Sequence, residues 1–167
     1  MGSRYDVAVF RRTSLSEFGR AVGGTLTVGD QVVEPWAGPS AVTVAQVDVA
    51  AESNVVVLAA PMKSPRGVDA RLARRLGTEA LFATVWDSVS VYALHVVGDG
   101  VDREIAADPE EGAYSRGAPL PEEPSWPDLD EAYVQTVLVA RCGIDPGAIG
   151  AHPATWFALS PAPASDA

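Results

Sequence analysis

Apolar and polar positions alternate most regularly between residues 80 and 107, and the pattern predicts three antiparallel strands joined by two tight turns. The first, residues 81–86, ends at Asp87-Ser88. The second, residues 89–97, ends at Gly98-Asp99-Gly100, where two glycines take positive φ at little steric cost. The third is residues 101–107. β-branched and aromatic residues dominate, as a half-buried pleated surface prefers. Val89, Val91, Ala93, His95 and Val97 fall on one face of the second strand, and Ser90, Tyr92, Leu94 and Val96 on the other.

Upstream, residues 5–10 (YDVAVF) read as a short strand with Val7 and Val9 on one side and Ala8 and Phe10 on the other. Ser14 and Glu17 stand at capping-box spacing before the stripe Leu15, Phe18 and Val22, and Gly23-Gly24 ends the helix. Residues 25–28 and 31–33 flank Gly29-Asp30, a hairpin signal, and a Pro/Gly loop then holds Trp36. Residues 41–49 alternate as a strand. Residues 55–60 (VVVLAA) are continuously apolar, as a strand covered on both faces should be. A second helix is expected within 64–76, with Val68, Leu72 and Leu76 on one stripe.

Residues 108–127 read as a proline-rich loop, and a third helix opens at Asp128 with Glu131 three residues on. An apolar TWFAL segment follows at 155–159. The expected architecture is α+β: an antiparallel or mixed sheet of about six or seven strands, with about three helices packed on one face of it. Residues 1–159 read as one domain and 160–167 as a disordered tail.

The 167 residues and 47% hydrophobic content suit a core that needs no staples. No apolar run approaches the ~18 residues of a membrane helix, and no signal core interrupts the charged N-terminus. The lone Cys142 excludes an internal disulfide and suits a reducing cytoplasm, where the protein is expected to reside. A net charge of −10 argues against nucleic-acid binding. Eleven of the 22 acids lie between Asp99 and Glu131, against Arg103 and Arg116 alone. Beside a sheet edge, such a one-signed surface would steer a basic partner.

Motifs for chemistry are absent: no glycine-rich phosphate loop, HExxH, GxSxG or CxxC occurs. No catalytic residue, metal site or cofactor is therefore expected. His95 reads as a hydrogen-bonded histidine in or beside the core, and Cys142 as a small buried hydrophobe. The cations Lys63, Arg66, Arg71, Arg74 and Arg75 read as a solvated helix face.

Trp86-Asp87-Ser88, Tyr92-Ala93-Leu94, Gly98-Asp99-Gly100 with Arg103, and the run 117–123 (GAPLPEE) resemble small acidic actinobacterial proteins of unknown function. Some of those are similar in size and charge to toxin-neutralising immunity proteins. The resemblance covers residues 81–138 and carries over no catalytic residue.

Two function classes follow. The favoured one is a non-catalytic protein that docks a basic partner protein through Glu110, Glu111, Glu122 and Glu123, with Trp126 as apolar anchor, an immunity-type inhibitor being its sharpest version. The alternative is a small-molecule binder or small enzyme with a pocket formed by Asp87, Tyr92 and His95. Neither class calls for nucleic acid or a membrane, and the oligomeric state is left open.

Overall fold

A computed structural model of the chain describes residues 3–29, 42–60, 67–125, 128–152 and 154–160. The expected hairpin arm at 31–33, Trp36, Lys63, Arg66, Trp126 and the tail at 161–167 lie outside them.

Along the chain come β1 (Arg4–Phe10), α1 (Leu15–Val22), β2 (Thr25–Val28), β3 (Thr43–Val49), β4 (Glu52–Ala59) and α2 (Ala70–Leu76). They are followed by β5 (Ala80–Trp86), β6 (Val91–Gly98), β7 (Val101–Asp108), β8 (Gly112–Arg116), α3 (Glu131–Cys142) and β9 (Trp156–Ser160). Among the described residues, nine strands form one antiparallel sheet in the order β2-β9-β3-β4-β1-β5-β6-β7-β8.

This corrects the expected six or seven strands. Two were missed for physical reasons: every residue of β8 is exposed, so it carries no buried alternation, and the TWFAL segment pairs with strands more than a hundred residues upstream. Ser160, the expected start of a tail, is the last residue of β9 and pairs with Thr25.

Helices cover both faces, not one. Tyr5, Val7, Val9, Val56, Leu58, Leu81, Val85, Leu94 and Val96 pack with Tyr133, Val134, Val137 and Leu138 of α3. Ala8, Phe10, Val55, Val57 and Val97 pack with Phe18 of α1 and Leu72 and Ala73 of α2. The alternation read in β1 and the two-sided burial read in β4 are therefore both realised. Each such Val, Leu or Phe side chain withdrawn from water contributes about 1.5–3 kcal/mol. Phe10 sits at the centre of its face, its ring 5.4 Å from Phe18 and 5.6 Å, edge-on, from Phe82.

The caps explain where the helices begin. Ser14 and Glu17 form the reciprocal capping box ahead of α1. α2 is shorter than expected because Asp69 takes its N-cap, accepting from the N–H groups of Arg71 and Leu72. α3 likewise begins two residues later than read, with Asp130 as N-cap. After β5 a single 3-10 turn occupies Asp87–Val89, so Val89 belongs to the turn and not to the strand. Among the described residues no helix is long and apolar enough to cross a membrane.

Candidate protein-binding surface

The acids that the sequence groups together are divided by the fold into an inward set and an outward set. Leu120 is buried and anchors the segment between Pro119 and Pro124. Its N–H donates to Glu123 Oε1 at 3.0 Å, and the Glu123 N–H donates back to the Leu120 carbonyl at 3.1 Å. Glu123 then meets Arg103 at two points: Nε to Oε1 at 2.6 Å and Nη2 to Oε2 at 2.9 Å. The Tyr133 hydroxyl of α3 donates to the same carboxylate at 2.7 Å.

The remaining donors of Arg103 reach Ser115 Oγ and the carbonyls of Arg116 and Gly117. Gly117 is required here: its φ is +84°, and a Cβ would overlap the Asp102 carbonyl oxygen. Burial pushes the Glu123 carboxyl up, but hydrogen bonds from Arg103, the Leu120 N–H and Tyr133 outweigh it and bring it down to about 2.

Glu122, one residue earlier, receives Arg141 Nη1 at 2.9 and 3.0 Å. Arg141 also grips both oxygens of Glu79, whose side chain is 2% exposed, and Arg11 donates to Glu79 Oε1 as well, at 3.0 Å. Arg11 continues to Glu52 at 2.7 Å. The chain Glu52–Arg11–Glu79–Arg141–Glu122 thus ties β4, the end of β1, the start of β5 and α3 together. The expected docking residues Glu122 and Glu123 are structural, and sequence reasoning missed their arginines. One signal was present: Arg103 shares a strand face with Ile105, an inward position where an arginine implies a buried partner.

The outward set lies at the β7–β8 turn and just before α3. In the β7–β8 turn, Asp108 Oδ1 accepts from the N–H groups of Glu110 and Glu111 at 2.7 and 3.2 Å, and this Asx turn leaves both glutamates exposed. Asp128 is exposed before α3, and Glu131 accepts from Gln135 at 2.9 Å. Asp87 accepts from the Tyr92 hydroxyl at 2.6 Å, with Glu131 and Asp130 near enough to reinforce its effect; burial first, then Asp87, pushes that phenol up to about 12. Glu110, Glu111 and Asp128 form no ion pair with any described residue. Beside them opens a groove of about 490 Å³, floored by Ile105, Ala107 and Ala113 and walled by Leu129 and Tyr133.

The alternative pocket does not assemble. Tyr92 and Asp87 face α3, whereas His95, three residues on, lies on the other face of β6 against Phe82, ring centroids 6.1 Å apart. His95 Nε2 stands 3.0 Å from Asp102 Oδ1, and Arg74 and Arg116 share that carboxylate. The adjoining cavity is about 110 Å³, below the ~300 Å³ at which ligand pockets begin. Cys142 is buried with its Sγ 2.9 Å from the Leu138 carbonyl, and burial pushes its thiol up to about 11.

Among the described residues no group of three or more His, Cys, Asp or Glu is placed to hold a metal ion. The described members of the basic run have partners of their own: Arg71 bonds Asp69, Arg74 pairs with Asp102, and Arg75 donates to the Ala21 carbonyl at the end of α1.

No family model, no curated protein and no solved structure matches this chain.

Proposed function

We propose that this chain is a non-catalytic binding protein that docks a basic partner protein at the acidic end formed by the β7–β8 turn and the start of α3. The observation that carries the reading is the contrast between the two sets of acids. Glu79, Glu122 and Glu123 are neutralised internally, whereas Glu110, Glu111 and Asp128 are exposed and pair with no described cation, Asp128 on the wall of the groove. Unpaired charges of one sign raise the encounter rate with an oppositely charged protein, within a Debye length of about 8 Å at physiological salt. An immunity-type inhibitor of a basic toxin is the sharpest member of this class. A cytoplasmic setting is in keeping with a lone, buried, unpaired thiol. The separation of His95 from Asp87 and Tyr92 onto opposite faces weighs against the small-molecule or enzyme reading.

The test is the association rate with a small basic protein, measured at low and high salt for the wild type and for the triple variant Glu110→Gln, Glu111→Gln, Asp128→Asn. The variant should associate several-fold more slowly at low salt and equally at high salt. Equal rates at low salt would reduce the acidity to a solubility feature.

A further inference from the structure

We infer that the outer edge of β8 takes up an extended, basic segment of the partner as a tenth strand of the sheet, an inference that rests on the acidic docking reading above. Among the described residues β8 ends the sheet order and pairs with β7 alone, and all five of its residues are exposed. In an antiparallel ladder successive residues aim their N–H and C=O groups to opposite sides, so about half of the backbone groups of β8 face away from β7.

Proteins commonly blunt such an edge with Lys, Pro or a covering element. β8 (GAYSR) has neither Lys nor Pro, and its one charge, Arg116, reaches away from the edge, across the sheet surface to Asp102 and Glu104 at 3.2 and 2.9 Å. The other edge, β2, adjoins residues 30–41, which lie outside the described part of the chain, and carries no comparable argument.

The groove beside β8 fixes the side-chain chemistry of the occupant. Its floor continues the row Ile105, Ala107 and Ala113, the same face of the sheet on which an added strand would place every second side chain. Those positions suit medium-sized apolar residues, bounded by Leu129 and Tyr133. The alternate positions face the solvent beside Tyr114. At the turn end of the strand stand Glu110 and Glu111, and Asp128 lines the groove wall; Arg103, which also lines it, is already neutralised by Glu123, so the incoming segment is cationic. With β8 only five residues long, a segment of similar length fills the edge. Main-chain pairing then supplies affinity, and the groove supplies preference.

The experiment uses the intact chain and three blocked synthetic peptides: alternating Lys and Val, the same peptide N-methylated at alternate residues, and alternating Thr and Val. Readouts are affinity and amide exchange at residues 112–116. The Lys/Val peptide should bind and slow exchange at alternate β8 amides, and N-methylation should weaken it at least about tenfold, because it removes the ladder while keeping the charge.

Equal binding of the two Lys peptides, both weakened by Glu110→Gln and Glu111→Gln, overturns strand addition and leaves acidic docking standing. If instead the Thr/Val peptide protects β8 as well as the Lys/Val peptide does, and the glutamate variants change nothing, strand addition stands and the electrostatic reading falls. Protection that grows with protein concentration in the absence of peptide identifies a second copy as the occupant and overturns the inference, as does failure of all three peptides to bind.

Discussion

Arg103 and Glu123 meet through two parallel hydrogen bonds, of 2.6 and 2.9 Å, with side chains only 7% and 8% exposed. A paired arrangement of this kind confers geometry as well as energy, and it fastens the segment after β8 to the sheet while Tyr133 joins α3 to the same carboxylate.

Removing one partner of this pair leaves an uncompensated buried charge, so Arg103→Ala is expected to cost about 3–5 kcal/mol in urea unfolding. The pH dependence follows from the Glu123 carboxyl, which lies at about 2 in the folded chain against an ordinary 4.5. Because the folded value is the lower one, the stabilisation is fully present above the ordinary value and is lost as pH falls from there through about 2. Glu123→Gln should flatten that part of the stability profile. An unchanged profile between those two values would show that the pair contributes nothing to acid sensitivity.

Glu79 sits between two guanidinium groups at 2% exposure, whereas Glu52, at the end of the same chain of charges, is 36% exposed. Glu79→Gln is accordingly expected to cost about 3–5 kcal/mol, and Glu52→Gln at most about 1 kcal/mol. Chemical denaturation of the two variants side by side checks the ordering. Similar losses in both would mean that burial does not set the strength of this network.

The Cys142 thiol is held at about 11 by burial and stays inaccessible. In the native protein near neutral pH it should resist a thiol reagent, and labelling should accelerate only as denaturant opens the chain. Rapid labelling without denaturant would place the end of α3 among the locally opening parts of the molecule.

His95 and Asp102 form a pair with side chains 21% and 47% exposed. His95→Gln should therefore change stability by no more than about 1 kcal/mol and leave docking at the acidic end intact. Loss of binding in that variant, measured with the same basic protein probe, would move the functional surface to the other side of the sheet.

What could be read in the sequence was whatever depends on neighbours. The capping box of Ser14 and Glu17, the apolar run in β4 and the glycine turn after β6 are each specified within a few residues. What could not be read depends on distance. Glu79 finds its arginines 68 and 62 positions away, and Glu122 and Glu123 find theirs 19 and 20 positions away. No local pattern distinguishes such glutamates from solvated ones, so two structural residues were placed in the docking surface. Glu110 and Glu111 are exposed, as the acid- and proline-rich composition of residues 108–127 implies, although the strand that follows their turn leaves no such local signal.

The position of β9 has a consequence for how the molecule is made. The last described strand lies between two of the earliest, with Phe157 opposite Val28 on one side and Val44 on the other. During synthesis β2 and β3 emerge roughly a hundred residues before the strand that joins them, a delay on the order of ten seconds at ordinary elongation rates. Until then β3 offers a nascent edge bearing Val44, Ala45 and Val47, residues wholly buried in the finished sheet. A message cut short before residue 156 would yield a product that keeps β1, β4 and β5 but holds that edge open permanently. Such a truncated product should sediment with ribosome-released aggregates, whereas the full-length chain stays in the supernatant.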